Sequence, residues 1–233
     1  DAQESRGLGD VYKRQIVDLV GPSGSGKSSL LTAFALLNPH ADGTFTLDGA
    51  DSSSFSLQQW RRNVAYLPQK PMLMGDSVAD TIRLPWTLAV RRADEASAPD
   101  DHAATGKKTS ARRGRFSRLF RSEQSQAKLA LPDQLIRNTL DAMGCEDIDL
   151  ARAPHDLSGG QAARVSLART LLTRPAVLLA DEVDAGLDDD NADKVASIMA
   201  SAAARGMAIV RIRHRPPDGR ATRIVTLSSG RLS

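Results

Sequence analysis

Gly21-Pro22-Ser23-Gly24-Ser25-Gly26-Lys27-Ser28 is the stretch on which the reading of this chain turns. It follows an apolar run, Ile16-Val17-Asp18-Leu19-Val20, and precedes a segment of helical character from Ser29 to Leu37. A strand, a glycine-rich loop and a helix in that order form a cradle for phosphate groups. Gly24 and Gly26 carry no side chains, so consecutive backbone N–H groups can face a β-phosphate, and the following helix adds the positive end of its dipole. The spacing assigns Gly21 to Ser29 to nucleotide phosphates, with Lys27 reaching the β- and γ-phosphates and the Ser28 hydroxyl ligating Mg²⁺.

Two more segments extend the pattern. Ala176 to Ala180 is apolar and ends in Asp181-Glu182, the form of a buried parallel strand that delivers carboxylates at its C-terminal edge. Asp181 suits the shell of the Mg²⁺ ion, and Glu182 suits a base for an attacking water. Leu157-Ser158-Gly159-Gly160-Gln161 opens a helix that runs through Val165, Leu167, Ala168 and Leu171. Ser158 is its expected N-cap, and the two glycines permit close approach to an anion.

In content and order these segments resemble the nucleotide-binding subunits of ABC transporters. The resemblance implies an α/β fold of the P-loop NTPase kind: an ABC-type ATPase domain with a mainly parallel core sheet, a truncated N-terminal antiparallel β subdomain and a helical signature arm. In that family Leu-Ser-Gly-Gly-Gln is the signature motif, which assigns Ser158, Gly159, Gly160 and Gln161 to the nucleotide. Tyr66-Leu67-Pro68-Gln69 resembles the Q-loop, whose Gln69 would contact Mg²⁺ and the attacking water. Asp184-Ala185-Gly186-Leu187-Asp188 resembles the D-loop, and His214 stands where the switch histidine follows a strand, here Met207 to Ile212. The implied catalytic set is Glu182, His214 and Gln69, and the implied metal set is Ser28, Gln69 and Asp181. ATP and Mg²⁺ are the implied ligands. The implied partners are a transmembrane permease subunit and a second copy of the chain, in a head-to-tail dimer that sandwiches ATP.

Several positions depart from the family pattern. Val183 replaces a common proline, the D-loop is Ala-Gly-Leu-Asp rather than the commoner Ser-Ala-Leu-Asp, and Ala162 and Ala163 follow the signature where polar residues are frequent. Arg213 stands before the switch histidine in place of a small polar residue. These changes imply altered rate rather than lost activity.

Length and composition fit one ATPase domain over residues 16–233. The chain has 233 residues, of which 41% are hydrophobic, enough for a sizeable α/β core. No apolar run approaches the ~20 residues that cross a bilayer, and the N-terminus lacks a signal-peptide core. The single Cys145 cannot form an internal disulfide, which fits a reducing compartment. The expected location is peripheral, on the cytoplasmic face of a bacterial plasma membrane.

Basic character is local. Residues 107–121 hold seven positive charges and no negative ones, and without them the formal charge would change from +3 to −4. They lie in a low-complexity insert at about 93–127 whose composition predicts disorder. The insert is read either as a solvated loop or as a contact for anionic lipid or RNA. A nucleic-acid or ribosomal ABC ATPase is the rival reading, disfavoured because the insert has no heptads and the chain holds one ATPase motif set.

The segment Gln69 to Val78, with Leu84-Pro85-Trp86 after it, resembles small bacterial ATP-binding subunits assigned to iron or metal export. A small-solute or phosphate-type importer is the alternative. In the family this region receives the permease's coupling helix, which makes Met72, Leu73, Met74 and Trp86 candidates for a docking groove. Residues 1–15 resemble translated adapter sequence and are expected to be non-native. Tyr12 is the only upstream aromatic, so the adenine-stacking platform that the family carries is expected to be missing.

Overall fold

The computed structural model describes residues 13–88 and 127–233. Most of the expected non-native stretch, residues 1–12, and nearly all of the basic insert, residues 89–126, lie outside the described residues.

A six-stranded sheet forms the centre, in the order β4-β5-β6-β1-β7-β8. Its strands are β1 (Ile16–Val20), β4 (Val64–Leu67), β5 (Val177–Asp181), β6 (Ala208–Ile212), β7 (Arg223–Ser228) and β8 (Arg231–Leu232). Every pairing is parallel except the edge pair β7 and β8. Central strands of such a sheet are covered on both faces and read as apolar runs. Their alternate side chains accordingly enter two separate cores. Val17, Leu19, Leu179, Val210 and Ile212 join the smaller core with α1 (Lys27–Phe34) and α2 (Leu57–Asn63). Ile16, Leu178, Ala180 and Ile209 join the larger one. That core is completed by α3 (Val78–Arg83), α4 (Asp133–Asp141), α5 (Gly159–Leu172) and α6 (Asp189–Ala204).

The strands and helices read beside the motifs are found with shifted ends. Ser56 and Gln59 form a capping box that starts α2, and the Asp188 carboxylate caps α6 by accepting from the Asn191 N–H. In α6 the buried positions Ala192, Val195, Ala196, Met199, Ala202 and Ala203 follow the helical repeat. A short strand, β2 (Thr46–Leu47), pairs with β3 (Ala50–Asp51). Its turn has φ of 50° at Asp48 and 81° at Gly49, the paired left-handed conformation of a tight hairpin. Among the described residues this hairpin is the antiparallel unit beside the main sheet.

One polar system runs through the larger core. Asp18 on β1 lies opposite Arg211 on β6, and Arg211 Nε donates to Asp18 Oδ1 at 2.5 Å, with both side chains at most 5% exposed. Arg211 also donates to Asp218 at 2.7 Å. Burial alone would lower the Arg211 pKa, but its hydrogen bonds to Asp218 and Asp18 outweigh that and raise it. Burial likewise opposes ionisation of Asp218, yet the Arg211 hydrogen bond, the Arg220 N–H and the charges of Arg211 and Arg213 together lower its pKa.

A carboxyl whose pKa is depressed on folding contributes stability above its unfolded pKa and loses it as the pH falls through the folded value. The urea-unfolding free energy of wild type should therefore exceed that of Asp218→Asn near neutral pH, and the gap should shrink below about pH 4. A gap that stays constant into that acid range would contradict the assignment.

Candidate nucleotide site

Parallel pairing sets the geometry of the site. In the register, Leu67 lies beside Ala180, Asp181 beside Ile212, and Ile212 beside Leu19. The segments leaving β1, β4, β5 and β6 therefore emerge at one sheet edge. Gly21 to Ser29, Gln69, Glu182 and His214 all lie on these segments, and Asp181 ends β5. In doubly wound sheets this carboxyl edge is where ligands bind.

The loop after β1 fits a phosphate. At Gly21 a Cβ would stand 2.2 Å from the Leu227 carbonyl oxygen, so no side chain fits. Gly26 has φ 94° and precedes α1 with no side-chain cap, and the first turn contains no acidic residue. The helix's leading N–H groups are thus left for an anion. Lys27 is buried, and its Nζ donates to the carbonyls of Gly21 and Pro22, each at 2.9 Å. That leaves a third ammonium proton for a ligand. Pro22, Ser23, Gly24, Ser28 and Ser29 are exposed, while Ser25 lies within the loop, its hydroxyl buried without a partner.

Glu182 is held from both sides. Gln69 Nε2 donates to its Oε2 at 2.7 Å, and His214 Nε2 lies 2.6 Å from its Oε1. The carboxylate accepts, so Nε2 carries the proton. Glu182 itself sits at φ 50°, a conformation that costs a non-glycine residue roughly 1 kcal/mol. Its N–H donates to the Ile212 carbonyl at 3.2 Å, anchoring the strained residue to β6. Behind it Asp181 is buried and accepts from the Tyr66 hydroxyl at 2.9 Å. Burial first, and the Asp181 hydrogen bond second, push the Tyr66 pKa well above its usual value, so the phenol remains a donor at every physiological pH. The hydroxyl of Ser28 and the carboxylate of Asp181 are hard oxygen donors, which suits Mg²⁺ that takes its other ligands from phosphates and water.

The signature residues belong to a different surface. Ser158 caps α5: its Oγ accepts from the Gln161 N–H, and the Gln161 side chain accepts from the Ser158 N–H. Gln161 Nε2 also donates to Asp147 at 2.7 Å, so its amide is occupied within the chain. Gly159 faces open space, and Gly160 lies against Leu187, whose Cδ2 would be 3.0 Å from an added Cβ. Among the described residues no hydrogen bond or ion pair joins Ser158–Gln161 to the loop at Gly21–Ser29.

A cavity of about 390 Å³ opens beside β4, lined by Leu37, Arg61, Tyr66, Pro85, Leu88 and Arg169 among others. Met72 and Met74 are exposed outside the lining, and Leu73 and Trp86 pack against the larger core. The backbone does connect them, since Arg169 donates to the Met72 carbonyl at 3.3 Å.

The sequence reading passed over the ion pairs at this edge. Arg213 and Asp184, noted only as part of the loops flanking the site, meet at 2.9 Å with side chains 7% exposed. Their signal was two charged residues, each next to a buried apolar residue, Ile212 and Val183, a placement that calls for a partner.

Comparison with known proteins agrees with this arrangement. The profile described as "ABC transporter" matches residues 8–185. The chain is 32% identical over 177 residues to the "Probable iron export ATP-binding protein FetA" of Escherichia coli, covering 76% of this chain and 62% of that protein. It is 28% identical over 228 residues to the uncharacterized ABC transporter ATP-binding protein YknY of Bacillus subtilis, covering 96% and 84%. The aligned part thus spans less than two thirds of the first relative's length and most of the second's. Among solved structures, an ATP-binding subunit of an ABC transporter aligns with a TM-score of 0.67 at 21% identity, over 95% of this chain and 78% of that one. A dimeric post-hydrolysis ATP-binding cassette bound to ADP and Pi aligns with a TM-score of 0.66 at 20% identity, over 96% and 87%. Motif order, site geometry and profile match lead to one conclusion: the chain belongs to the ATP-binding, ATP-hydrolysing domains of the ABC transporter family.

Proposed function

We propose that this chain hydrolyses ATP to power transport through a separate membrane subunit, with iron or another metal ion, moved outward, as the cargo. The observation that carries the catalytic part is Glu182 held between Gln69 and His214 at the edge that bears the phosphate loop. The cargo reading rests on the Gln69 to Val78 segment and on the name of the Escherichia coli relative.

In this reading Lys27 and the N-terminus of α1 neutralise the phosphates, and Glu182 takes the proton of an attacking water that Gln69 orients. His214 holds the γ-phosphate. Ser28, Gln69 and Asp181 would hold Mg²⁺, which when bound neutralises charge on the β- and γ-oxygens. Tyr66 fixes the Asp181 carboxylate. Ser158, Gly159 and Gly160 serve the nucleotide of a second, head-to-tail copy, which accounts for their lack of contact with the phosphate loop of their own chain. The cavity beside Tyr66 is the proposed seat of the permease's coupling segment. A hydroxyl that links this cavity to Asp181 would let docking be felt at the metal site. The chain would then work peripherally, on the cytoplasmic membrane face.

Glu182→Gln should keep ATP binding, prolong an ATP-dependent dimer and lower turnover by about 100-fold or more, through loss of the base. Turnover near wild type would refute the assignment. Lys27→Ala should weaken ATP binding by about 10- to 100-fold, the value of a charge-assisted hydrogen bond. Tyr66→Phe should raise the Mg²⁺ concentration needed for half-maximal turnover while leaving Mg²⁺-free nucleotide binding unchanged. An unaltered Mg²⁺ requirement would remove Tyr66 from the site.

A further inference from the structure

Three rungs connect the segment after β6 to the segment after β5. The first is His214 to Glu182, at 2.6 Å. The second is Arg213, whose Nε donates to Asp184 Oδ2 at 2.9 Å and whose Nη1 lies 3.0 Å from Asp218 Oδ2. The third is Arg215, which donates through Nη1 to Asp189 Oδ1 at 2.6 Å and through Nη2 to the Leu187 carbonyl. His214 thus has on each side an arginine that grips residues 184–189.

The imidazole needs such a grip. Its side chain is 56% exposed, and Glu182 is the partner it shows among the described residues. Packing therefore does little to fix it, and the chain from Arg213 to Arg220 has no regular structure. Its backbone position must come from the flanking residues. Arg213 supplies the stronger tie, because its contact with Asp184 is buried and electrostatically less screened. The Arg215 tie to Asp189 is exposed and individually weak, but the same guanidinium also holds a carbonyl. The gripped segment is itself firm. Val183 and Leu187 are buried in the larger core, Leu187 packs on Gly160, and Asp188 caps α6.

We propose that Arg213 and Arg215 are positioning residues for hydrolysis: by fastening the chain on both sides of His214 to residues 184–189, they hold the imidazole against Glu182. The inference rests on the roles proposed for Glu182 and His214. Neither arginine touches the phosphate loop, so their effect falls on the chemical step rather than on ATP binding.

The test is steady-state ATPase kinetics on Arg215→Ala, Arg215→Lys, Arg213→Lys, His214→Ala and the His214→Ala/Arg215→Ala double variant, with ATP affinity and melting temperature measured alongside. Arg215→Ala should lower kcat about tenfold with KM within about twofold, since a small displacement of a catalytic group is costly. Its melting temperature should move by no more than about 2 °C, as for loss of an exposed ion pair. Arg215→Lys should recover part of the loss. Arg213→Lys, which keeps the charge but not the fork that bridges Asp184 and Asp218, should also lower kcat with ATP affinity unchanged. In the His214→Ala background, Arg215→Ala should add less than about twofold, because residues that act through one another are non-additive. If His214→Ala lowers kcat while Arg215→Ala and Arg213→Lys match wild type, the positioning role is overturned and the site reading stands. If the double variant shows the full product of the single losses, Arg215 does not act through His214 and the proposal fails. Wild-type turnover in His214→Ala would overturn the site reading and the proposal with it.

Discussion

Parallel hydrogen bonding among β4, β5, β6 and β1 is the constraint from which the site follows. Strands that run in one direction must all end at one edge, and each needs a crossover before the next can begin. Four functional segments far apart in sequence are thereby delivered to a common line: the loop at Gly21, Gln69, Asp181-Glu182 and His214. The two faces of the sheet are buried under separate sets of helices. The edge is what remains for a polar ligand.

Charges inside the larger core extend that constraint to the loops. Residues 209 and 211 share one face of β6, and Arg213 continues the alternation just beyond the strand end. Ile209 meets the apolar core there, Arg211 meets Asp18 and Asp218, and Arg213 meets Asp184 and Asp218. Asp218 thus accepts from Arg211 and lies in ion-pair contact with Arg213. A lone buried charge would be costly, whereas a row of paired charges fixes where irregular segments lie. Glu182 illustrates the outcome: its positive φ is tolerated because Ile212, Gln69 and His214 hold it from three directions.

The starts of α1 and α5 have opposite characters. The start of α1 has no side-chain cap and so keeps its N–H groups available. The start of α5 is self-satisfied by Ser158 and Gln161, with Asp147 behind them, and exposes glycine backbone. The first can grip an anion from within one chain. The second presents a rigid, capped helix end suited to closing on an anion that another molecule carries.

Much of this was legible in the residues themselves, because local chemistry leaves local marks. The glycine-rich loop, the Asp181-Glu182 strand end and the Ser158 cap each depend on neighbours within a few positions; β5 does end at Asp181, and Ser158 does cap α5. The helices α2 and α6 carry capping and periodicity signals as well, Ser56 with Gln59 in the first and Asp188 with the buried repeat from Ala192 in the second. What the sequence could not supply was distance between remote segments. Strand order decides that Arg211 faces Asp18, that Tyr66 reaches Asp181, and that His214 and Gln69 close on the same carboxylate. The lining of the cavity also came from tertiary packing, which set Leu73 and Trp86 against the larger core and brought Arg61 and Arg169 to one cavity wall. Motif chemistry is written in short spans of chain. Partnership across the sheet depends on register and burial, which exist only once the whole chain has folded.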